Sequence, residues 1–599
     1  MKAESLSITL LRRREETEAE FRPIDLGLFK RLFAYTRPYA GLRNKLFCAV
    51  VLRSLQLPAL GAASGFIINR LIVSGDPLRL ARDTACFFAL SAFTMLVFFH
   101  RQKWALDLGE YVIHDLRNEI FTHLQRMQMS FFDRTKLGSL ISRMTTDTEA
   151  LRQGVQNILF VGIVGLGQMV FSAAVMLWID PWLFAVVLGI SPVLWWLNRH
   201  FKQRIMNALR NTHESFSRVT ATLAESVAGI KVTQGCGRQD LNGRLFADLI
   251  NDHSQYNVAA GRAMSLFVPL LDLNNQVFLA LLLIVGGWRA ASGAVAIGDI
   301  VMFFFLAEVF FAPVVNLGNI YQQALSAMAG AERVFHFLDT RPHWEEAPGA
   351  VAIDRIQGSV AFEDVSFAYK EDHLVLRGVS FKVEPGQTVA LVGPTGGGKT
   401  TLMNLLAKFY LPGSGRILID GYDLRDIQSS SLHRQLGIVL QNNFLFSGTV
   451  LDNIRFAKPE AGESEVAAAA ARIGCLDLIE ALPQGFHTTV GERGGTLSLG
   501  QRQIICFVRA MLVDPRILIL DEATSSVDTI TEMRLQQALR LLLKDRTSFV
   551  VAHRLNTVRG ADRILVVEGG RIAESGSHEQ LIARGGLYAS LHRQFTSQL

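Results

Sequence analysis

The stretch that most constrains this chain is Gly393-Pro394-Thr395-Gly396-Gly397-Gly398-Lys399-Thr400. It satisfies the pattern G-x-x-x-x-G-K-[ST] at every specified position. An apolar run, Thr388 to Val392, precedes it and reads as a buried strand. Leu402, Leu405 and Leu406 follow on one face of a helix. Without a Cβ, the glycines let backbone N–H groups turn inward around phosphate oxygens, and the helix N-terminus adds partial positive charge. The pattern assigns Lys399 to the β- and γ-phosphates of a nucleotide and the Thr400 hydroxyl to Mg²⁺. The expected contact set runs on to Thr401.

A second element supports the first. Ile517-Leu518-Ile519-Leu520 is a short apolar strand ending in Asp521 and Glu522. It lies about 120 residues beyond the loop, where such a pair gains meaning. Asp521 is placed to hold Mg²⁺ through water, and Glu522 to orient or deprotonate an attacking water. Strands are also expected at 360–369, 378–383, 417–419, 436–440, 548–552 and 564–567, with helical segments between most of them. Such alternation predicts a largely parallel sheet with its ligand at the strand ends. A polar linker, 339–357, with Pro342, Pro348 and Gly349, sets this α/β domain apart as residues 358–599.

The chain ahead of the linker has another character. At 599 residues the protein is too long for one core. Its 49% hydrophobic residues and mean hydropathy of +0.25 are concentrated before the linker. Six apolar helices are expected near 45–73, 84–101, 154–179, 181–198, 264–288 and 298–324, each near the ~20 residues that cross a bilayer. Arg53 and Pro58 make the first the least clear. Lys and Arg gather in the N-terminal segment and in two long connections, His100 to Arg152 and Asn198 to Arg262, which places both termini in the cytoplasm. Residues 1–44 form an N-terminal segment with an amphipathic helix, Asp25 to Tyr39. Leu28, Leu32 and Phe33 share one face, with Lys30, Arg31 and Arg37 at the headgroups. Residues 45–338 form the membrane domain. The fold class is therefore multi-domain: an all-α polytopic membrane domain with long cytoplasmic extensions, plus an α/β P-loop ATPase domain. The inner, cytoplasmic membrane of a cell is the expected location.

Other features bound the partners. A net charge of +6 is small for this length and gives no argument for nucleic acid. Five scattered cysteines show neither metal-ligand spacing nor a disulfide framework. Residues 1–22 carry charges of both signs, which argues against a secretory signal. Within the long connections, Ser130-Phe131-Phe132-Asp133-Arg134, Leu137 to Thr148 and Leu223 to Thr233 lie far from the membrane, where a cytoplasmic domain can push on them. Arg53, Asp272 and Glu308 fall inside expected spans. Arg53 and Asp272 each lie roughly 12–14 Å in from the cytoplasmic helix end. The expectation is that these charges line a translocation cavity and favour a substrate with a cationic portion. Pairing of Arg53 with Asp272, or snorkelling, is the alternative.

Leu497-Ser498-Leu499-Gly500-Gln501-Arg502-Gln503 resembles the Leu-Ser-Gly-Gly-Gln signature of ATP-binding cassette exporters, and Val490-Gly491-Glu492-Arg493-Gly494 precedes it as in that family. The resemblance covers nearly the whole chain as a half-transporter: six transmembrane helices fused to one nucleotide-binding domain. It implies ATP and Mg²⁺ as cofactors, with Tyr369 stacking on adenine. It also implies Gln441 in the glutamine loop near the metal, Asp528 in the loop after Glu522, and His553 as the switch histidine. Ser498, Gly500 and Gln501 would complete a second subunit's site in trans. The implied function is ATP-driven export of a drug-like amphiphile, lipid or peptide by alternating access. An importer of the same fold and a nucleotide-gated channel or receptor stay open as alternatives. Leu499 stands where the family has its first signature glycine, adding bulk and restricting φ. Ser525-Ser526-Val527-Asp528 also departs from the usual Ser-Ala-Leu-Asp. With Lys399, Thr400, Asp521, Glu522 and His553 intact, the pattern resembles the hydrolytic half of heterodimeric exporters. A second half-transporter is the expected partner, with the homodimer as the alternative.

Overall fold

The structure, a computed structural model, describes residues 26–597 apart from 75, 157–161, 343–345, 347–348, 371–372, 522–528 and 553–554. It divides into two compact units. One holds the described residues up to Gln125 with Leu137–Thr340; the other holds Arg126–Lys136 with the chain from Arg341 onward.

The first unit is helical: α1 (Leu26–Ala34), α2 (Ala40–Ser74) and α3 (Pro77–Arg126). The short α4 (Met129–Arg134) belongs to the other unit. Then come α5 (Leu137–Ser142), α6 (Thr148–Gln156), α7 (Gly162–Ile179), α8 (Pro181–Ala228), α9 (Ile230–Gly235), α10 (Gln239–Ala291) and α11 (Ile297–Asp339). Four helices among the described residues are long and apolar enough to cross a membrane: Ala40–Arg70, Pro77–Arg126, Gly162–Ile179 and Gln239–Ala291. The apolar start of α8, Pro181–Val193, is shorter. α2 runs unbroken through Arg53 and Pro58. Of the expected span 154–179, α6 takes in 154–156 and α7 takes in 162–179; residues 157–161 lie outside the described residues. The long connections are continuations of the apolar helices. α3 has 50 residues and α10 has 53, so each runs roughly 75–80 Å, more than twice the hydrocarbon thickness of ~30 Å.

Specific polar contacts fix the helix ends. Asp180, only 3% exposed, caps α8 by accepting from Trp182 N and Leu183 N at 2.8 and 2.9 Å. The Arg289 guanidinium at the end of α10 donates to the same carboxylate at 2.6 and 2.9 Å, so the buried acid is paired. α2 and α11 approach closely at small residues. A Cβ on Gly65 would stand 2.5 Å from Gly298 O, and Asn69 bridges both Gly298 N and Asp299. A π turn, Arg143–Asp147, buries Asp147 against Arg333 of α11 at 2.5 and 3.0 Å. Arg31 of α1, expected at the headgroups, instead forms a two-bond pair with Asp339 at 2.7 and 2.9 Å and lies over the Phe335 ring. Asp339 is held below the usual carboxylate range by Arg31.

The second unit carries two main sheets. β1 (Val360–Lys370) and β2 (His373–Val383) pair antiparallel. With β4 (Ser414–Ile419) and β5 (Tyr422–Asp423) they make a four-stranded sheet in the order β2-β1-β4-β5. The link from β1 to β2 is too short for a crossover, so the pair is a hairpin rather than part of a parallel sheet. The larger sheet takes β3 (Thr388–Val392), β6 (Leu436–Val439), β9 (Ile517–Asp521), β10 (Thr547–Val551), β11 (Arg563–Glu568) and β12 (Arg571–Gly576) in the order β12-β11-β3-β10-β9-β6. All pairs are parallel except β11 with β12. The strands β7 (Gly448–Thr449) and β8 (Thr489–Val490) form a small ribbon apart. The parallel strands are covered on both faces: Ile517 to Leu520 are each at most 2% exposed.

Candidate functional site

In the large sheet the carboxyl ends of β3, β10, β9 and β6 lie side by side. β10 separates the other two nucleotide strands: Leu391 faces Val551, and Val551 faces Asp521. The glycine loop leaves β3 and enters α12 (Lys399–Leu406), which has Gly398 as its N-cap at φ +107°. Gly393 adopts φ +150°, and a Cβ there would meet Val567 O of β11 at 2.1 Å. Only glycine fits that turn. Gly397 N donates to Pro394 O at 3.1 Å, and Gly570 N donates to Gly397 O at 3.2 Å, which ties the loop to the end of β11. Pro394, Thr395 and Gly396 form the exposed tip, whereas Gly397, Gly398 and Lys399 are buried.

Lys399 sits at the centre of this cradle. Its Nζ donates to Gly393 O at 2.8 Å and to Pro394 O at 2.9 Å. Burial pushes its ammonium below the usual lysine range, with the Asp521 carboxylate opposing. Thr400, first turn of α12, donates from Oγ1 to Asp521 Oδ2 at 3.3 Å. A hydroxyl and a carboxylate side by side are hard oxygen donors and suit Mg²⁺. Among the described residues no group of three or more His, Cys, Asp or Glu could hold a metal. A Mg²⁺ ion held there would draw its remaining ligands from phosphate oxygens and water. Gln441 is exposed two residues beyond β6, the strand next to β9.

Tyr369 is half-buried near the end of β1. Its hydroxyl donates to Thr401 Oγ1 and accepts from Asn404 Nδ2, each at 3.3 Å, so both ends of the contact lie on α12. Phe367 and Tyr410 meet its ring at nearly right angles. The signature helix is Leu499–Leu512. Ser498 caps it: Gln501 N donates to Ser498 Oγ at 3.2 Å, and Ser498 N donates to Gln501 Oε1 at 2.9 Å. Gly500 is buried in the first turn. Leu499 opens that turn in right-handed conformation, so leucine costs no backbone strain. The expected restriction on φ does not apply; what leucine adds is a half-buried side chain. Glu522, Asp528 and His553 lie outside the described residues.

Sequence reasoning missed the partners of α4. Tyr410 Oη donates a short hydrogen bond to the Asp133 carboxylate, and Arg134 Nη2 donates to Tyr369 O at 3.2 Å. Burial and Asp133 raise the Tyr410 phenol well above its ordinary range, so it stays a donor at neutral pH. Nothing in the sequence marks Tyr410 as a counterpart of a segment 277 residues earlier. The three charges expected to line a cavity differ in their surroundings. Arg53 lies over Phe98, while Asp272 and Glu308 are exposed on α10 and α11; no ion pair joins them among the described residues.

Residues 45–314 match the family model of the ABC transporter transmembrane region, and residues 376–525 match that of the ABC transporter ATP-binding domain. The chain is 37% identical over 578 residues to the ABC transporter ATP-binding protein YknV of Bacillus subtilis, covering 95% of both chains. It is 38% identical over 479 residues to a fatty acid ABC transporter ATP-binding/permease protein of Mycobacterium bovis, covering 80% of this chain and 75% of that one. Among solved structures it is similar to a bacterial Atm1-family ABC exporter with ATP bound, with a TM-score of 0.77 and 28% identity. The match covers 93% of this chain and 98% of that one. A helical membrane region fused to an α/β P-loop domain, with relatives along almost its full length, makes this chain an ABC transporter of the exporter type, which couples ATP hydrolysis to the movement of a solute across a membrane.

Proposed function

We propose that this chain hydrolyses ATP at its own phosphate loop and uses the resulting opening and closing of paired cassettes to export an amphiphile from the cytoplasmic side of a cell membrane. The observation that carries this reading is the contact of Thr400 with Asp521 beside the buried Lys399. Lys399 holds the β- and γ-phosphates, and Tyr369 takes the adenine. Thr400, Asp521 and Gln441 hold Mg²⁺, which supplies charge neutralisation at the phosphates. Glu522 acts on the attacking water, His553 contacts the γ-phosphate, and Asp528 belongs to the loop after Glu522. Ser498, Gly500 and Gln501 present a helix N-terminus to the γ-phosphate of a second cassette. Both termini and the ATPase domain face the cytoplasm. The membrane substrate reading has support in the fatty acid named for one relative. The test is reconstitution: an exporter builds a solute gradient on ATP, whereas a channel only dissipates one.

α4 transmits the ATPase cycle in this reading, through Asp133–Tyr410 and Arg134–Tyr369. Tyr410→Phe removes one charge-assisted bond and keeps the ring. It is expected to cut substrate-stimulated ATPase several-fold while ATP affinity, measured with a fluorescent nucleotide, stays within about twofold. Equal loss of both would mean that Tyr410 serves only the fold of the loop.

The partner is a second, different half-transporter. In a homodimer both composite sites would be completed by a signature bearing Leu499, whose side chain sits at the helix start beside Ser498. The heterodimer leaves hydrolysis to this chain's loop paired with the other chain's signature. The purified chain alone is expected to show weak ATPase. A stable homodimer that pumps at full rate, unchanged by Leu499→Gly, would overturn the heterodimer.

A further inference from the structure

The buried acids of the membrane unit, Asp147 and Asp180, are each paired with an arginine, whereas the buried Arg101 of α3 and the half-buried Arg53 of α2 are not paired with a carboxylate among the described residues. Arg53 and Gln56 are one turn apart on α2; Thr94, Phe98 and Arg101 share one face of α3. Both guanidiniums lie over the Phe98 ring, with Arg53 Cζ 5.0 Å and Arg101 Cζ 5.6 Å from its centroid. Gln56, Thr94 and Arg101 are 4%, 3% and 7% exposed. Yet Arg53 Nη1, Arg101 Nε, Thr94 Oγ1 and both polar atoms of the Gln56 amide have no hydrogen-bond partner among the described residues. Arg101 donates from Nη2 to the neighbouring Gln102 Oε1 at 2.6 Å, which is a neutral acceptor. Neither arginine is paired with a carboxylate among the described residues.

Such an arrangement is costly as a purely structural feature. Buried polar atoms in native folds are nearly always satisfied, and buried charges are paired. The aromatic face offsets the cost only in part. Two like charges with a buried amide and hydroxyl beside them form the donor set for an anion: a carboxylate or phosphate takes guanidinium N–H groups in parallel and the amide and hydroxyl laterally. Leu52, Leu55, Phe93 and Met95, on the same stretches of α2 and α3, expose apolar surface along which an acyl chain can lie.

We infer that Arg53, Gln56, Thr94 and Arg101 form a binding site for the anionic head group, carboxylate or phosphate, of a membrane amphiphile. The inference rests on the exporter reading for its purpose and replaces the expectation of a cationic substrate. Glu308 and Asp272 are exposed, whereas Arg101 is buried and Arg53 half-buried with no carboxylate partner among the described residues.

The test uses the full-length protein in phosphatidylcholine nanodiscs, with oleate, oleyl phosphate, oleyl alcohol and oleylamine as probes. Oleate and oleyl phosphate are expected to bind at least about tenfold tighter than the alcohol or the amine. The pair Arg53→Gln with Arg101→Gln should remove that preference and leave oleyl alcohol binding unchanged; Arg53→Lys with Arg101→Lys should restore most of it. Equal binding of all four probes by the unaltered protein, or a preference that survives the double glutamine variant, overturns the site. In proteoliposomes, ATP-dependent movement of bound oleate identifies a transported amphiphile. Binding without movement identifies a resident lipid, and either result keeps the site. Basal ATPase of the same unaltered sample separates the two readings. Hydrolysis without anion preference sinks the site alone, and absence of hydrolysis sinks the exporter reading, while the binding comparison stands without ATP.

Discussion

Replacing Glu522 with glutamine is expected to lower ATP turnover by about 10²-fold or more while ATP binding persists. The substitution keeps size and hydrogen-bonding capacity and removes the base. Glu522 follows Asp521, the last residue of β9, whose four apolar residues are locked between β10 and β6. The substitution is nearly isosteric, so the change should act on chemistry and not on folding. Phosphate binding depends on Lys399 and the loop, which the substitution leaves alone. With binding intact and hydrolysis blocked, paired cassettes should accumulate closed on ATP, read as a stable dimer by size-exclusion chromatography in ATP and Mg²⁺. Near-normal turnover by this variant would remove Glu522 from the role.

The nucleotide domain was readable because its chemistry is written in contiguous stretches. The loop from Gly393 to Thr400 and the run from Ile517 to Glu522 each carry both an element and its ligand groups, so local pattern and local function coincide. The antiparallel sheet of β1, β2, β4 and β5 was less legible: half-buried strands joined by tight hairpins look like any other short apolar runs. β12 escaped because Arg571 to Gly576 is an edge strand with mixed polarity. In the membrane unit, hydropathy located the apolar segments but not where helices end. α3 and α10 continue far past them, since nothing in their polar halves breaks a helix. Hydropathy also treats every intramembrane charge alike. It singled out Asp272 and Glu308, which are exposed, and passed over Arg101 at the border of a span, which is buried. Which charge is buried depends on helix rotation and neighbours, and these are tertiary facts. The same holds for Tyr410 and Asp133, joined by folding across 277 residues.

Gly393→Ala should be the more damaging of two alanine substitutions in the phosphate loop, and the contrast with Gly396→Ala isolates the cause. Both glycines have positive φ, +150° and +81°. Each alanine therefore pays a backbone cost on the order of 1–3 kcal/mol. At Gly396 nothing lies within 4 Å of an added Cβ, so the cost ends there. At Gly393 the added atom would stand 2.1 Å from Val567 O, a backbone atom of β11 that pairs with β3 and cannot swing aside. Either the loop lifts off β11 or the end of the sheet opens. Lifting the loop also carries away Gly393 O, one of the two carbonyls that hold the Lys399 ammonium. Gly393→Ala is thus expected to lower the thermal midpoint more than Gly396→Ala and to weaken ATP binding by at least about tenfold relative to it. Differential scanning fluorimetry with and without ATP reads both effects. Equal midpoints for the two variants would mean that the loop yields freely, and that Val567 does not set its conformation.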